Sequence, residues 1–211
     1  MDLERARQLL LDSLDREIAD KRVIEAMKRV PREAFVSKEQ YHAAYDDRPL
    51  NIGFGQTISQ PFIVALMVQA LELQGDEKVL ELGTGSGYEA AILAELAKKV
   101  VSVECIPELA ELAKQVLDKL GYSNVEVHVA GKTLGWSEGA PYDAIIVSAG
   151  APNVPQALLE QLAWNGRLVI PVGSRWQQDL LRVTKLRKGN NIESLGGCYF
   201  VPLIGEGAWG G

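Results

Sequence analysis

An α/β fold doubly wound around a mostly parallel sheet is predicted by three features of the 211-residue chain. First, short runs of β-branched and aliphatic residues recur from Lys78 onward with helical stretches between them. Such alternation marks βαβ units, whose parallel strands are buried on both faces. Second, the run 78–82 ends in Gly83-Thr84-Gly85-Ser86-Gly87 and passes at once into the helical pattern Tyr88–Ala94. That is a buried strand, a tight turn and a helix start. Third, the rhythm changes after residue 173. Two strand-like runs, Leu180–Arg187 and Ile192–Val201, flank the turn signal Lys188-Gly189-Asn190-Asn191 and predict a C-terminal antiparallel hairpin at the sheet edge.

Taken in order, residues 2–19 carry Leu3, Ala6, Leu10, Leu14 and Ile18 at near-helical spacing. A second short helix at 21–29 stops before Pro31, because a residue preceding proline is pushed out of the α region. Together they form an N-terminal helical extension. Residues 31–59 show no clear period, and an irregular stretch of that length is long for a mere connection. A helix is expected from about Gln60 to Leu73, with Pro61 tolerated in its first turn and Gly75-Asp76 closing it. Strands follow at 78–82, 99–104, 124–129, 142–148 and 166–172, with helices near 87–97, 107–120 and 154–163. Gly121 is placed to stop the second of these helices. No internal repeat or low-complexity linker interrupts the chain, so residues 1–211 read as one domain. Its parts are an N-terminal segment and loop (1–59), a ligand-binding core (60–173) and a C-terminal hairpin and tail (174–211).

Composition narrows the function. Hydrophobic residues make up 47% and charged residues 24%, a globular balance. The net charge of −6 argues against a nucleic-acid partner, since neutralising phosphates calls for a basic surface. Cys105 and Cys198 are too few and too far apart for a disulfide framework or a zinc site. With only two histidines, His42 and His128, no histidine metal site is expected. The charged N-terminus lacks an apolar signal core, and no run approaches the roughly 18 apolar residues of a membrane span. The expectation is a cytoplasmic monomer with no membrane partner and no metal.

The glycine turn admits several ligands. A phosphate loop needs Lys-Ser/Thr after its glycines, whereas Gly87 leads into Tyr88-Glu89. A dinucleotide fingerprint is G-x-G-x-x-G, and here the third glycine comes one position early. S-adenosylmethionine is the third candidate. It needs no pyrophosphate site, but its ribose hydroxyls need an acidic acceptor at the end of the next strand. Glu104 ends that strand, 21 positions after Gly83. A ligand-free βα turn and a solvated strand-end acid are the plainer alternatives.

Longer stretches decide among these. Val30-Pro31-Arg32-Glu33-Ala34-Phe35-Val36, Ile52–Pro61 (Ile-Gly-Phe-Gly-Gln-Thr-Ile-Ser-Gln-Pro), Leu80–Tyr88, Ala140–Val147, Gly166–Gly173 and Phe200–Gly205 occur in this order along the chain. With them the sequence closely resembles the protein-L-isoaspartate (D-aspartate) O-methyltransferase family, of Rossmann-like fold. The Gln56–Pro61 segment is the most specific part. The resemblance implies repair of aged proteins: a methyl group moves from S-adenosylmethionine to the α-carboxylate of an L-isoaspartyl residue. The ester then closes to a succinimide that hydrolyses partly to normal aspartate.

The resemblance also implies site roles. Ser59 is the active-site serine, its hydroxyl orienting the substrate carboxylate; capping the helix that starts near Gln60 is the alternative. Gly55, Gln56, Thr57 and Ile58, with Val201 and Pro202, belong to the substrate side. Gly83, Thr84, Gly85, Ser86, Gly87, Glu104, Cys105, Gly131 and Lys132 belong to the cofactor side. One departure stands out. Where the family usually shows Gly-Asp-Gly near the adenine amine, this chain has Ala130-Gly131-Lys132, which implies weaker cofactor binding or a changed loop path. A methyltransferase for another substrate, or a cofactor-binding protein with reduced catalysis, is the competing reading. Base-amine methylation is disfavoured because Ser148-Ala149-Gly150-Ala151-Pro152 stands where an Asn/Asp-Pro-Pro-aromatic motif would be.

Overall fold

A computed structural model describes residues 2–210. The chain opens with α1 (Leu3–Glu17), which buries Leu10, Leu11 and Leu14 along the stripe that the spacing predicts. Helix α2 (Lys21–Arg29) follows, its first turn capped by the Asp20 side chain, which accepts from the Arg22 N–H. The irregular stretch then resolves into two 3₁₀ turns, Arg32–Phe35 and Lys38–Ala43, and a small antiparallel hairpin. The hairpin strands are β1 (Leu50–Gly53) and β2 (Gln56–Ile58). Its tip, Gly53-Phe54-Gly55, has positive φ at all three residues. Helix α3 (Pro61–Ala70) carries Pro61 at its start, and Glu72 at φ 51 ends the run sooner than its apolar pattern implies.

The core elements are β3 (Lys78–Leu82), α4 (Tyr88–Ala94), β4 (Lys99–Glu104), α5 (Pro107–Leu120), β5 (Val125–Val129), β6 (Tyr142–Val147), α6 (Gln156–Gln161), β7 (Leu162–Gly173), β8 (Gln178–Leu186) and β9 (Gly189–Cys198). They build a seven-stranded sheet in the order β5-β4-β3-β6-β7-β8-β9. The first five strands in that order are parallel, and β8 and β9 are antiparallel. From β3 the chain winds outward through β4 to β5, then returns to β6 on the other side. The switch point thus lies between the C-terminal ends of β3 and β6, where open α/β sheets bind ligands.

Burial follows period two along the central strands. Ala144 and Ile146 of β6 enter the core shared with the N-terminal helices, while Ile145 and Val147 enter the core that holds Leu158 and Leu203. The same alternation places two polar residues side by side in the interior. Glu81 of β3 is in register with Ser102 of β4, and both are fully buried.

Several boundaries differ from the sequence expectation. The helix expected at 154–163 ends at Gln161, because Leu162 already pairs with Tyr142 and starts a longer β7. The helix expected at 87–97 runs only from Tyr88 to Ala94, where the Asn124 amide donates to the Ala94 and Ala97 carbonyls. In the hairpin, Leu186 pairs with Gly189, so β9 ends at Cys198 and Val201 falls outside it. No helix among the described residues is long and apolar enough to cross a membrane.

Candidate active site

A cleft of about 1040 Å³, counted with its open mouth, sits over the switch point. The strand-to-helix turn forms its floor. Gly83, Gly85 and Gly87 hold φ of 96°, 54° and 89°, values at which a Cβ is strained. The turn is closed by Gly83 N–H to Val103 O at 2.8 Å and Gly87 N–H to Thr84 O at 2.8 Å.

Glu104 lies in the wall beside it, only 4% exposed. Its Oε2 accepts from Gly85 N–H at 2.8 Å and its Oε1 from Ile106 N–H at 3.0 Å. The Cys105 thiol also donates to Oε1 at 3.4 Å, so these bonds fix the carboxylate and leave a lone pair on Oε2. Cys105 also lines the cleft, its thiol pushed up by partial burial and by neighbouring Glu104.

The irregular segment supplies the opposite wall. Ser59 is half-buried, and its hydroxyl does not cap α3. Asp47 does that instead: its Oδ1 accepts from Phe62 N–H at 2.9 Å and its Oδ2 from the Gln60 amide at 3.0 Å. The Ser59 carbonyl is held separately. Arg32, fully buried, donates from Nη2 to Ser59 O at 2.8 Å and from Nε to Ala44 O at 2.9 Å. Its guanidinium lies 4.7 Å from the centroid of the Tyr88 ring, and burial holds its pKa below the usual arginine value. One side chain therefore links the serine's backbone to the helix that follows the glycine turn.

Most of the residues picked from sequence converge here. Gln56, Thr57, Ile58 and Ser59 line the cleft with Gly83, Thr84, Gly85, Ser86, Glu104, Cys105, Gly131, Lys132, Val201 and Pro202. Val201 O and Leu203 N–H bond Gly150 at 2.8 Å each, which brings the tail alongside the end of β6. Two of the chosen residues lie outside the lining. Gly55 is at the hairpin tip. Gly87 faces helix α5 instead, where a Cβ would come within 3.3 Å of the Ala113 Cβ and 3.4 Å of Leu117.

The segment in the place of Gly-Asp-Gly still borders the cleft. Ala130 N–H donates to Glu104 O at 2.7 Å, Lys132 is exposed, and a Cβ on Gly131 would meet open space. Buried Gln161 anchors the far end of that segment, accepting from Trp136 N–H at 2.8 Å and donating to Leu134 O at 2.9 Å.

Sequence reasoning missed three participants: Arg32, Glu89 and Ser148. Glu89 lines the cleft, and its Oε2 accepts from the Ser148 hydroxyl. Beneath it, Glu81 accepts from Ser102, whose oxygen also shares a hydrogen bond with Thr84. Burial pushes the Glu81 carboxyl well up and that of Glu89 up to about 7; the Glu89 charge adds to the effect on Glu81. Tyr88-Glu89 reads from sequence as ordinary helix, with no local signal that Glu89 borders a cleft.

The family model described as protein-L-isoaspartate(D-aspartate) O-methyltransferase matches residues 5–208. A relative from Syntrophobacter fumaroxidans named protein-L-isoaspartate O-methyltransferase 1 is 53% identical, with 100% of each chain covered. A solved protein-L-isoaspartate O-methyltransferase superposes with a TM-score of 0.86 at 29% identity, covering 96% of this chain and 67% of its own. A Plasmodium falciparum structure bearing the same enzyme name was solved with S-adenosyl-L-homocysteine. It matches with a TM-score of 0.79 at 26% identity, covering 92% of this chain and 96% of its own.

Proposed function

The chain belongs to the protein-L-isoaspartate(D-aspartate) O-methyltransferase family, and from that membership we infer that the cleft over the switch point seats the methyl donor across the glycine turn and the substrate carboxylate at Ser59. Its activity is methylation of the α-carboxylate of L-isoaspartyl residues in damaged proteins and peptides, with S-adenosylmethionine as cofactor. The observation that carries the site reading is that Ser59 and Gly83–Ser86 line the same cavity while Asp47 relieves Ser59 of capping.

The cavity suits that cofactor. Gly83 and Gly85 keep side chains off its floor, Glu104 Oε2 retains a lone pair for a ribose hydroxyl, and Glu89 Oε1 is buried with no hydrogen-bond partner among the described residues. When bound, S-adenosylmethionine supplies a methyl carbon already activated by its sulfonium.

The protein's residues have correspondingly little acid–base work. A carboxylate nucleophile is ionised at pH 7 and needs no general base, and no histidine lines the cleft. Ser59 donates a hydrogen bond that orients the carboxylate. Gln56, Thr57 and Ile58 shape the approach, and the Val201-Pro202 backbone borders an extended peptide. Arg32 fixes the Ser59 peptide from behind. Holding two reactants in line in this way contributes several kcal/mol, up to about 7–11 in well-oriented cases. Cys105, Gly131 and Lys132 would hold the ribose and adenine end of the cofactor, Gly131 standing where the family usually has its acid. We take residues 1–211 as a single unit of helical and loop segment, binding core and hairpin tail, acting as a cytoplasmic monomer without nucleic-acid or membrane partners. The net charge of −6 supports the absence of a nucleic-acid partner.

Transfer of labelled methyl from S-adenosylmethionine to an isoaspartyl peptide, with the normal aspartyl peptide as control, tests this reading. Label is expected on the first peptide only; equal labelling would overturn it. Ser59→Ala is expected to lose at least about tenfold in turnover, the worth of one charge-assisted hydrogen bond, with S-adenosylhomocysteine affinity unchanged in calorimetry. Normal turnover in that variant would remove Ser59 from the reaction.

A further inference from the structure

Glu89 offers the cleft something the reaction does not require: a buried carboxylate with one oxygen unused. Only 7% of the residue is exposed. Oε2 accepts from the Ser148 hydroxyl, while Oε1 has no hydrogen-bond partner among the described residues. A buried carboxylate oxygen left bare is costly and calls for a partner. Glu81 Oε1 is bare too, but Glu89 is the one of the two that lines the cleft, where a ligand group can meet it.

The surroundings specify that group. Glu81 lies close enough for the Glu89 charge to bear on it, and Glu104 adds a third carboxylate on the same side of the sheet. No arginine or lysine forms an ion pair with any of the three among the described residues. The site therefore favours a cation. It must also donate hydrogen bonds, because a sulfonium could neutralise the charge but could not satisfy the lone pairs. An ammonium does both.

Topology gives the direction. Glu104 ends β4, Ser148 follows β6, and β3 runs between them. Two strand spacings make roughly 10 Å. That is comparable to the reach from the ribose hydroxyls of the donor to the amino group of its methionine portion.

We propose that Glu89, braced by Ser148, is the anchor for the α-ammonium group of the methyl donor and makes the cleft selective for donors that carry it. This rests on the reading of the cleft as the S-adenosylmethionine site. Glu81, held by Ser102 beneath the turn, lies outside the cleft lining and does not touch the ligand.

Calorimetric titration with two ligands separates the possibilities: S-adenosylhomocysteine, and its deaminated analogue, which lacks only the amino group. The wild-type protein is expected to bind the first at least about tenfold more tightly, the discrimination a charged hydrogen bond provides. Glu89→Gln should erase most of that difference by weakening the first ligand and leaving the analogue unchanged. Equal wild-type affinities overturn the proposal without recourse to any variant. A variant that weakens both ligands equally, or neither, overturns it too. If the wild type binds neither ligand, the cofactor reading itself falls and the proposal with it. Thermal unfolding of Glu89→Gln shows whether the variant is folded, and Ser148→Ala offers a milder change that should lower only the amine-bearing ligand's affinity.

Discussion

At the scale of single residues, the site depends on carboxyl groups held out of water, and each is treated differently. Glu104 is tied by two backbone N–H groups, so its position is set before any ligand arrives. Glu89 has a single hydroxyl donor, and burial pushes its carboxyl from 4.5 up to about 7. A carboxyl whose folded pKa is raised binds its proton more tightly in the native state than in the unfolded chain. Its contribution to stability is therefore complete below about pH 4.5 and is lost as pH rises through about 7. Between those limits, the ligand-free wild type should lose stability relative to Glu89→Gln, by as much as about 3 kcal/mol. Urea unfolding of both proteins at pH 4.5, 6 and 8 checks this, and a difference that does not vary with pH would show that folding leaves the Glu89 pKa unchanged. Glu81 and Glu104 are the neighbouring carboxyl groups, and both proteins keep them. A bound ammonium should oppose the trend by favouring the ionised form.

Among elements, the start of α4 is the most exacting junction. Gly87 enters the helix at φ 89°, and helix α5 packs directly against the space its side chain would fill. The third glycine of the turn thus serves helix packing, whereas the first two keep the cavity floor open. Gly87→Ala is expected to destabilise the protein by ~1–2 kcal/mol from backbone strain alone, with crowding against Ala113 and Leu117 added. A lower urea midpoint at unchanged slope, with S-adenosylhomocysteine still bound, is the expected result. The β1–β2 hairpin is coupled to the same turn, since Ile52 comes within 3.4 Å of where a Gly85 Cβ would lie. Its strands are only four and three residues long, and three successive positive-φ residues form the tip. Neither strand is long enough to show a period, which is why residues 31–59 read as irregular.

Across the whole molecule, the N-terminal third and helix α4 of the core meet at Arg32. The guanidinium bridges the Ala44 and Ser59 carbonyls and packs on Tyr88, so three separate stretches of chain share one buried cation. Arg32→Met is expected to cost on the order of 2 kcal/mol in stability, since two buried carbonyls lose a donor. It should raise KM for an isoaspartyl peptide several-fold while leaving S-adenosylhomocysteine affinity near wild type. Arg32→Lys, which keeps the charge but not the fork, should recover stability more than KM. If cofactor affinity falls as peptide KM rises, Arg32 supports the fold generally and does not position Ser59. The sequence by itself determined the order of strands and helices, the edge hairpin, the glycine turn, the serine and the family, because these are written in local periodicity and in contiguous motifs. Strand ends moved by a few residues wherever long-range pairing overrode local preference, as at Leu162 and Val201. Only the tertiary structure decided that Asp47 caps α3 in place of Ser59, that Gly87 turns away from the cleft, and that Glu89 meets Ser148. Those pairings join residues far apart in the chain, and burial is what gives them meaning. A glutamate in water needs no partner, whereas one closed into the end of a sheet does.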